Sequence, residues 1–281
     1  MDSRISQNKF VVLTMIFIFV ASTLLAAGCG SKYGAKTVKV NYYPECYQPI
    51  DELRQAEEKV RKDAATGAAV GAITGLVVGL ATTGSARGAA VGAGIGLVAG
   101  LAGSYLISSA IQDKALKERF QAYNNTIDAE TNNLNIAVKY AKKSCDCYDA
   151  AYKRLNAGFQ KGQFSKEEML VRLKEIRDGN NDAIKVLQVF KAESVKHSET
   201  YAQIYKLEQN RKSDRANKSN LGQLRSKQNS YAKATSDTES TLALIAKRNS
   251  LIENDIRNRE MAFRGGNMLA SSGESVPLSV R

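Results

Sequence analysis

Tryptophan is absent from this chain of 281 residues, histidine occurs once, proline three times and cysteine four times. Each shortage excludes something. Aromatic residues make up 7%, mostly tyrosine, which does not build a large compact core; helices packed side by side suit it better. The prolines, Pro44, Pro49 and Pro277, leave the long middle of the chain without a helix breaker. The lone histidine, His197, has no second histidine nearby and no Cys-x-x-Cys, so the usual metal-ligand spacings are missing. No paired carboxylates in an apolar setting and no nucleophile motif mark a reaction centre. The sequence therefore assigns no catalytic residue, no metal site and no dissociable cofactor, and predicts that the chain is not an enzyme.

Charge and hydropathy are unevenly spread. Strongly apolar, charge-free sequence falls in two blocks, 10–29 and 64–111. Lys and Arg number 40 against 28 Asp and Glu, a formal charge of +12 distributed along the chain. A basic surface seeks an anionic neighbour. For an exported chain that means lipid or lipopolysaccharide phosphate, and no nucleic acid; the alternative is that Lys and Arg simply solvate long helices, since the charge is spread and not clustered.

The first block opens with Arg4 and Lys9, continues apolar from Phe10 through Ala27, and closes on Gly28-Cys29. A basic start, an apolar core and small residues at the cut form a secretion signal. An uncleaved anchor is the alternative, because Phe10 to Gly28 is long enough to span a bilayer. The run LLAAGC, Leu24 to Cys29, resembles the lipobox of bacterial lipoproteins. That resemblance implies cleavage before Cys29, a diacylglyceryl group on its sulfur and an acyl chain on its amine. Gly30-Ser31 lacks the aspartate associated with inner-membrane retention, so the implied location is the bacterial outer membrane.

Removal of the signal leaves Cys46, Cys145 and Cys147 in an oxidising compartment, an odd number. A Cys145–Cys147 bond closes a very small ring, and a helix points those two side chains apart. The expected disulfide joins Cys46 to one of the pair, the choice left open.

The second block carries two glycine series. Gly67, Gly71, Gly75 and Gly79 recur every four residues, and after a polar turn Gly88, Gly92, Gly96 and Gly100 repeat the pattern. In water each glycine weakens a helix by about 0.8–1.0 kcal/mol relative to alanine. Eight in phase require compensation, and spacing of four supplies it by forming a ridge along which another helix approaches closely, as helices do in lipid. No charge lies between Asp63 and Arg87, nor between Arg87 and Asp113. Each gap exceeds the roughly 20 apolar residues of a spanning helix. The segment 64–110 resembles the glycine-zipper two-transmembrane domain of outer-membrane lipoproteins, such as the rickettsial-type 17 kDa surface antigens. The resemblance implies outer-membrane location and self-association through the eight glycines. Gly94-x-Gly96-x-x-Ala99 also matches a dinucleotide fingerprint, but the strand that motif requires before it is missing.

The remainder reads as helix. Residues 30–49 are an extended linker, with Asp51 as the cap of a helix running through ELRQAEEKVRKD. Leu116, Phe120, Tyr123, Ile127, Leu134, Val138, Ala141, Cys145, Tyr148, Tyr152, Leu155 and Phe159 form one stripe at helical spacing. Gly158 and Gly162 end that helix, and Ser165 with Glu168 makes a capping box for the next. That second helix is expected to weaken at RDGNND, 177–182, as a solvated kink; Asp178, Asn180 and Asp182 lack the order of a calcium loop. Residues 210–220 read as a polar turn. A last stripe, Leu221, Leu224, Tyr231, Leu242, Ile245, Ile252, Ile256 and Phe263, is interrupted by Gln228, Thr235, Thr238 and Asn249, and so predicts a modest seam that needs partners.

The predicted fold class is all-α: a glycine-zipper transmembrane helical hairpin followed by long amphipathic helices in a bundle or coiled coil. The boundaries are 1–28 signal peptide, 29–50 lipidated linker, 51–112 helix and zipper hairpin, 113–264 periplasmic helical domain, and 265–281 disordered tail. The predicted role is an outer-membrane lipoprotein scaffold, with membrane lipid, copies of itself and envelope or secretion-complex proteins as partners. An oligomeric α-helical pore or export channel component is the alternative.

Overall fold

A computed structural model of the chain describes residues 33–65, 106–107, 109–211 and 215–264. The described residues are helical, without a strand among them: α1 (Pro44–Ala65), a four-residue turn α2 (Ser109–Gln112), and the long helices α3 (Leu116–Gln160), α4 (Lys166–Asn210) and α5 (Arg215–Arg264). No helix among the described residues is long and apolar enough to cross a membrane. The expected signal peptide, 1–28, and the expected tail, 265–281, lie outside the described residues.

The three long helices run 45, 45 and 50 residues, about 67–75 Å each. They form an up-down-up bundle whose register is fixed by cross-helix pairs. Arg119 of α3 meets Glu208 near the end of α4, and Tyr201 of α4 packs edge-on to Tyr231 of α5. Further along, Asn181 meets Asn249, and Phe159 meets Phe263. The predicted stripes supply the core: Phe120, Tyr123, Ile127, Tyr148 and Leu155 from α3, and Leu224, Tyr231, Ile245, Ile252 and Ile256 from α5, are buried.

The turn between α3 and α4 follows the glycines and the capping box. Gly162 adopts a left-handed φ of 71°, and the N–H groups of Lys161, Gly162 and Gln163 close onto the carbonyls of Gly158 and Phe159. Ser165 then accepts from the Glu168 N–H at 3.1 Å to open α4.

Four expectations are corrected. First, the extended linker does not reach residue 49. Pro44 opens α1, where its missing N–H costs nothing, and Asp51 lies inside the helix rather than capping it. Second, RDGNND is no solvated kink. α4 runs through it unbroken, with Gly179, Asn180 and Asp182 buried. The Tyr148 ring lies over Gly179, and a methyl there would overlap the phenol. Third, α5 finds its partners within the chain. Thr238 folds its hydroxyl back to the Ala234 carbonyl, Gln228 donates to Tyr201 O at 2.6 Å and Asn249 donates to Asn181 at 2.7 Å. Fourth, the described residues 106–107 and 109–112, which the expected boundary at 112 grouped with the zipper, pack on the body. Leu106 and Ile111 are fully buried, and Gln112 donates to Leu106 O and Tyr123 Oη, each at 2.8 Å.

Polar groups are built into this core in layers. Arg119 forks onto Glu208 at 2.6 and 2.9 Å, and Tyr123 adds a third donor at 3.0 Å. Higher up, Glu130 receives the Tyr201 hydroxyl and lies 2.7 Å from His197 Nδ1. Charge-assisted pairs of this kind hold because both partners are satisfied; losing one leaves the other buried and costs several kcal/mol, about 3–5.

Two outcomes follow. Gly179→Ala gains about 1 kcal/mol of helix propensity but must displace the Tyr148 ring, an overpacking cost of about 1–3 kcal/mol. The expected result is a lower urea midpoint, recovered in part by adding Tyr148→Leu. Alkali should also unfold the bundle. Burial, reinforced by the neighbouring carboxylates, raises the phenols of Tyr47, Tyr148, Tyr201 and Tyr231 and pushes Tyr123 up to about 12. An unfolded phenol ionises near its ordinary 10.0, so the stabilisation is complete below pH 10 and is lost as pH climbs through the folded values. Phenolate absorbance and loss of helical circular dichroism should rise together above pH 10; ionisation of all tyrosines without loss of helix would contradict the burial.

Candidate functional site

The feature that sets this chain apart from a plain helical bundle is how residues 33–65 are fastened to it. Residues 33–43 form an extended strap, and α1 returns beside it. Two carboxylates on α4, two turns apart, hold the strap. Asp182, fully buried, accepts from the Thr37 N–H at 3.1 Å, the Thr37 hydroxyl at 2.6 Å and the Tyr47 hydroxyl at 3.3 Å. Glu175 accepts from the N–H groups of Asn41, Tyr42 and Tyr43, at 3.1, 2.9 and 2.9 Å. An extended segment laid on a helix has no ladder to satisfy its donors, so an acceptor from the helix must do so. Glu175 also sits at the amino end of α1, where a negative charge complements the positive end of the helix dipole.

Side chains close the strap from outside. Arg54 donates to Gly34 O at 3.1 Å and lies 3.7 Å from Asp182. Arg172 stacks between the rings of Tyr42 and Phe164, 4.5 and 4.3 Å from their centroids. Lys36 Nζ lies over the Tyr47 ring at 4.2 Å, and Tyr33 stacks on Phe190.

The covalent link is Cys46–Cys147, which ties the first turn of α1 to α3 across 101 residues. Ser144 donates to Cys46 O at 2.7 Å beside it. Closing so long a loop restricts the unfolded chain by about 4–5 kcal/mol in the chain-entropy picture. Cys145 remains a free thiol, buried on the α5 side, where Arg248 approaches its sulfur at 3.3 Å. Burial pushes that thiol up to about 11, which suppresses the thiolate and its reactivity. Glu45 lies close to Cys46 and Cys147, ligand atoms within 4.8 Å of one another. The bond between the two sulfurs takes both thiolates out of play for a metal.

The structure thus brings Cys46 and Cys147 together and turns Cys145 the other way. Cys29 and the ridge glycines Gly67, Gly71, Gly75, Gly79, Gly88, Gly92, Gly96 and Gly100 lie outside the described residues. Glu175 and Asp182 were not singled out as a pair by sequence reading. Their signal is a second buried row on α4, Glu175, Gly179, Asp182 and Val186, at spacings of four, three and four beside the apolar stripe. The chain matches no family model, no curated protein and no solved structure.

Loss of these acceptors should free the strap. Asp182→Asn removes the charge and replaces one of the two acceptor oxygens that serve Thr37 and Tyr47 by a donor, each charge-assisted bond contributing about 1.5–3 kcal/mol. Trypsin cleavage after Lys36 and Lys39 in the folded protein should accelerate at least several-fold, read by mass spectrometry of the released peptide. An unchanged cleavage rate would mean that the carboxylates do not hold the strap.

Proposed function

We propose that the chain is a membrane-anchored helical scaffold of the cell envelope, a lipoprotein acylated on Cys29 whose glycine block 64–110 associates in the outer membrane and whose bundle stands as a rigid body in the periplasm. One observation supports it most. The strap after Cys29 and the helix leading into the glycine block are fastened to the bundle by a disulfide and two buried carboxylates. The described residues that flank both candidate membrane attachments, the strap from Tyr33 and helix α1, are thereby fixed to one long body.

The chemistry of the body agrees with a scaffold. The buried ionisable groups Glu130, Glu175, Asp182 and Glu208 are engaged in intramolecular bonds that set register. A disulfide that crosses 101 residues suits an exported protein. The glycine-zipper resemblance adds self-association, with lipid and further copies of the chain as partners. Envelope proteins are the further partners that such a body would organise.

The test is assembly in detergent after extraction of the acylated protein. Gly75→Leu with Gly96→Leu should reduce the native oligomer to smaller species by light scattering, with the bundle's helical signal unchanged. Cys29→Ala should abolish acylation and shift the protein out of the membrane fraction or leave it uncleaved. Retention of the native oligomer by the double leucine variant would overturn the zipper reading.

A further inference from the structure

The geometry points to a bilayer-facing flank: we infer that the side of the bundle carrying the strap and α1 lies along the membrane, so that the bundle is recumbent instead of projecting end-on. The inference rests on the proposal that Cys29 is acylated and deepens it by naming the surface that meets the lipid.

The argument is one of reach. Four residue steps separate Cys29 from Tyr33. A chain covers at most about 3.6 Å per residue, so the tether spans no more than about 14 Å, plus the short glyceryl linker. Tyr33 is a fixed point, 2% exposed and stacked on Phe190. Phe190 lies 20 residues before Asn210, where α4 ends, which places it about 30 Å along the bundle from that end. An upright bundle resting on that end would hold Tyr33 at twice the height the tether allows. The axis must therefore incline by more than about 50° from upright to bring the two into agreement.

Sinking the end into the bilayer does not rescue the upright arrangement. Lys114, Lys117, Glu118, Lys206 and Lys218 are exposed there, and each basic side chain placed at mid-bilayer costs roughly 2.5–3.5 kcal/mol. The other end of the bundle is further still from Tyr33's tether along α4, at Lys166. The only placement that keeps the charges wet and the tether within reach turns the strap side to the membrane.

That side is defined by packing. α5 fills one groove between α3 and α4, and α1 with the strap fills the other. Lys36 and Lys39 are exposed on the strap, and Lys185 reaches Ala35 O at 3.3 Å. Lys36 is paired with Asp51 at 3.7 Å and Lys185 with Asp182 at 3.5 Å, and Glu45 is exposed beside them, so this flank is polar and charge-balanced, and the tether rather than its charge turns it to the membrane. The partner is thus the phospholipid bilayer that holds the acyl chains of Cys29.

The test uses full-length, acylated protein in vesicles of phosphatidylethanolamine and phosphatidylglycerol containing a dansyl-labelled lipid. The chain has no tryptophan, so an introduced one is a unique donor. Lys39→Trp and Leu251→Trp sit at the same height along the bundle: Lys39 lies between strap residues held by Asp182 and Glu175, and Leu251 is two residues from Asn249, the partner of Asn181. They lie on opposite flanks, and both positions are exposed. Energy transfer should be several-fold stronger from Lys39→Trp. Equal transfer from both, with acylated Cys29 confirmed by mass spectrometry, would overturn the recumbent flank and leave the lipoprotein reading standing. An unmodified Cys29 in the membrane-extracted protein would overturn the lipoprotein reading itself, and the flank with it.

Discussion

The placement of the strap and of the start of α1 depends on two carboxylates accepting backbone N–H groups. Glu175 and Asp182 together satisfy donors from Thr37, Asn41, Tyr42 and Tyr43. Without them the strap would either bury orphaned N–H groups, at about 1–3 kcal/mol each, or stay in water. Their positions on α4 also decide where the chain turns. Glu175 holds Tyr43, Pro44 starts α1 immediately after, and Cys46 arrives opposite Cys147. The disulfide is therefore the consequence of a register that hydrogen bonds establish.

The same logic runs down the bundle. Long antiparallel helices with evenly spaced apolar residues can slide by a turn at little cost, and buried polar pairs remove that freedom. Arg119–Glu208, Glu130 with His197 and Tyr201, and Asn181–Asn249 each match one height on one helix to one height on another. The arrangement is not free of cost. His197 Nε2, both amide atoms of Asn180 and the Tyr148 hydroxyl are buried without a hydrogen-bond partner among the described residues. Gly179 carries a helix penalty of about 1 kcal/mol so that Tyr148 can lie over it.

Much of the body was legible in the sequence because amphipathic helices announce themselves by period. The α3 stripe from Phe120 to Leu155 and the capping box at Ser165 and Glu168 are read directly from spacing and residue type. The strap and the centre of α4 were not, for one physical reason. Gly179, Asn180 and Asp182 are individually the residues of a solvated break, and Pro44 and Pro49 are individually those of a linker. Each is reversed by a partner remote in sequence. Asp182 is buried because Thr37, 145 residues away, brings it donors. Pro44 begins a helix because Glu175, on another helix, satisfies the N–H groups just before it. The third cysteine was undecided for a related reason: helical spacing separates Cys145 from Cys147, but only the position of α1 selects which one meets Cys46.

The placement of the disulfide has a mechanical meaning. The strap runs from Tyr33 toward Tyr43, and α1 runs back, so the pair forms a hairpin whose apex lies at residues 43–46. The two ends of that hairpin, Tyr33 and Ala65, are the points nearest Cys29 and the glycine block. A load entering at Tyr33 first meets ring stacking on Phe190, then the Asp182 and Glu175 clamps, and only last Cys46. A load entering through Ala65 peels α1 from α3 and also ends at Cys46. Breakable contacts lie toward the ends and the covalent stop lies at the apex. A disulfide nearer either end would protect only the contacts beyond it; at the apex it serves both directions with one bond. The hydrogen-bonded clamps give the position its accuracy, and the covalent bond gives it endurance.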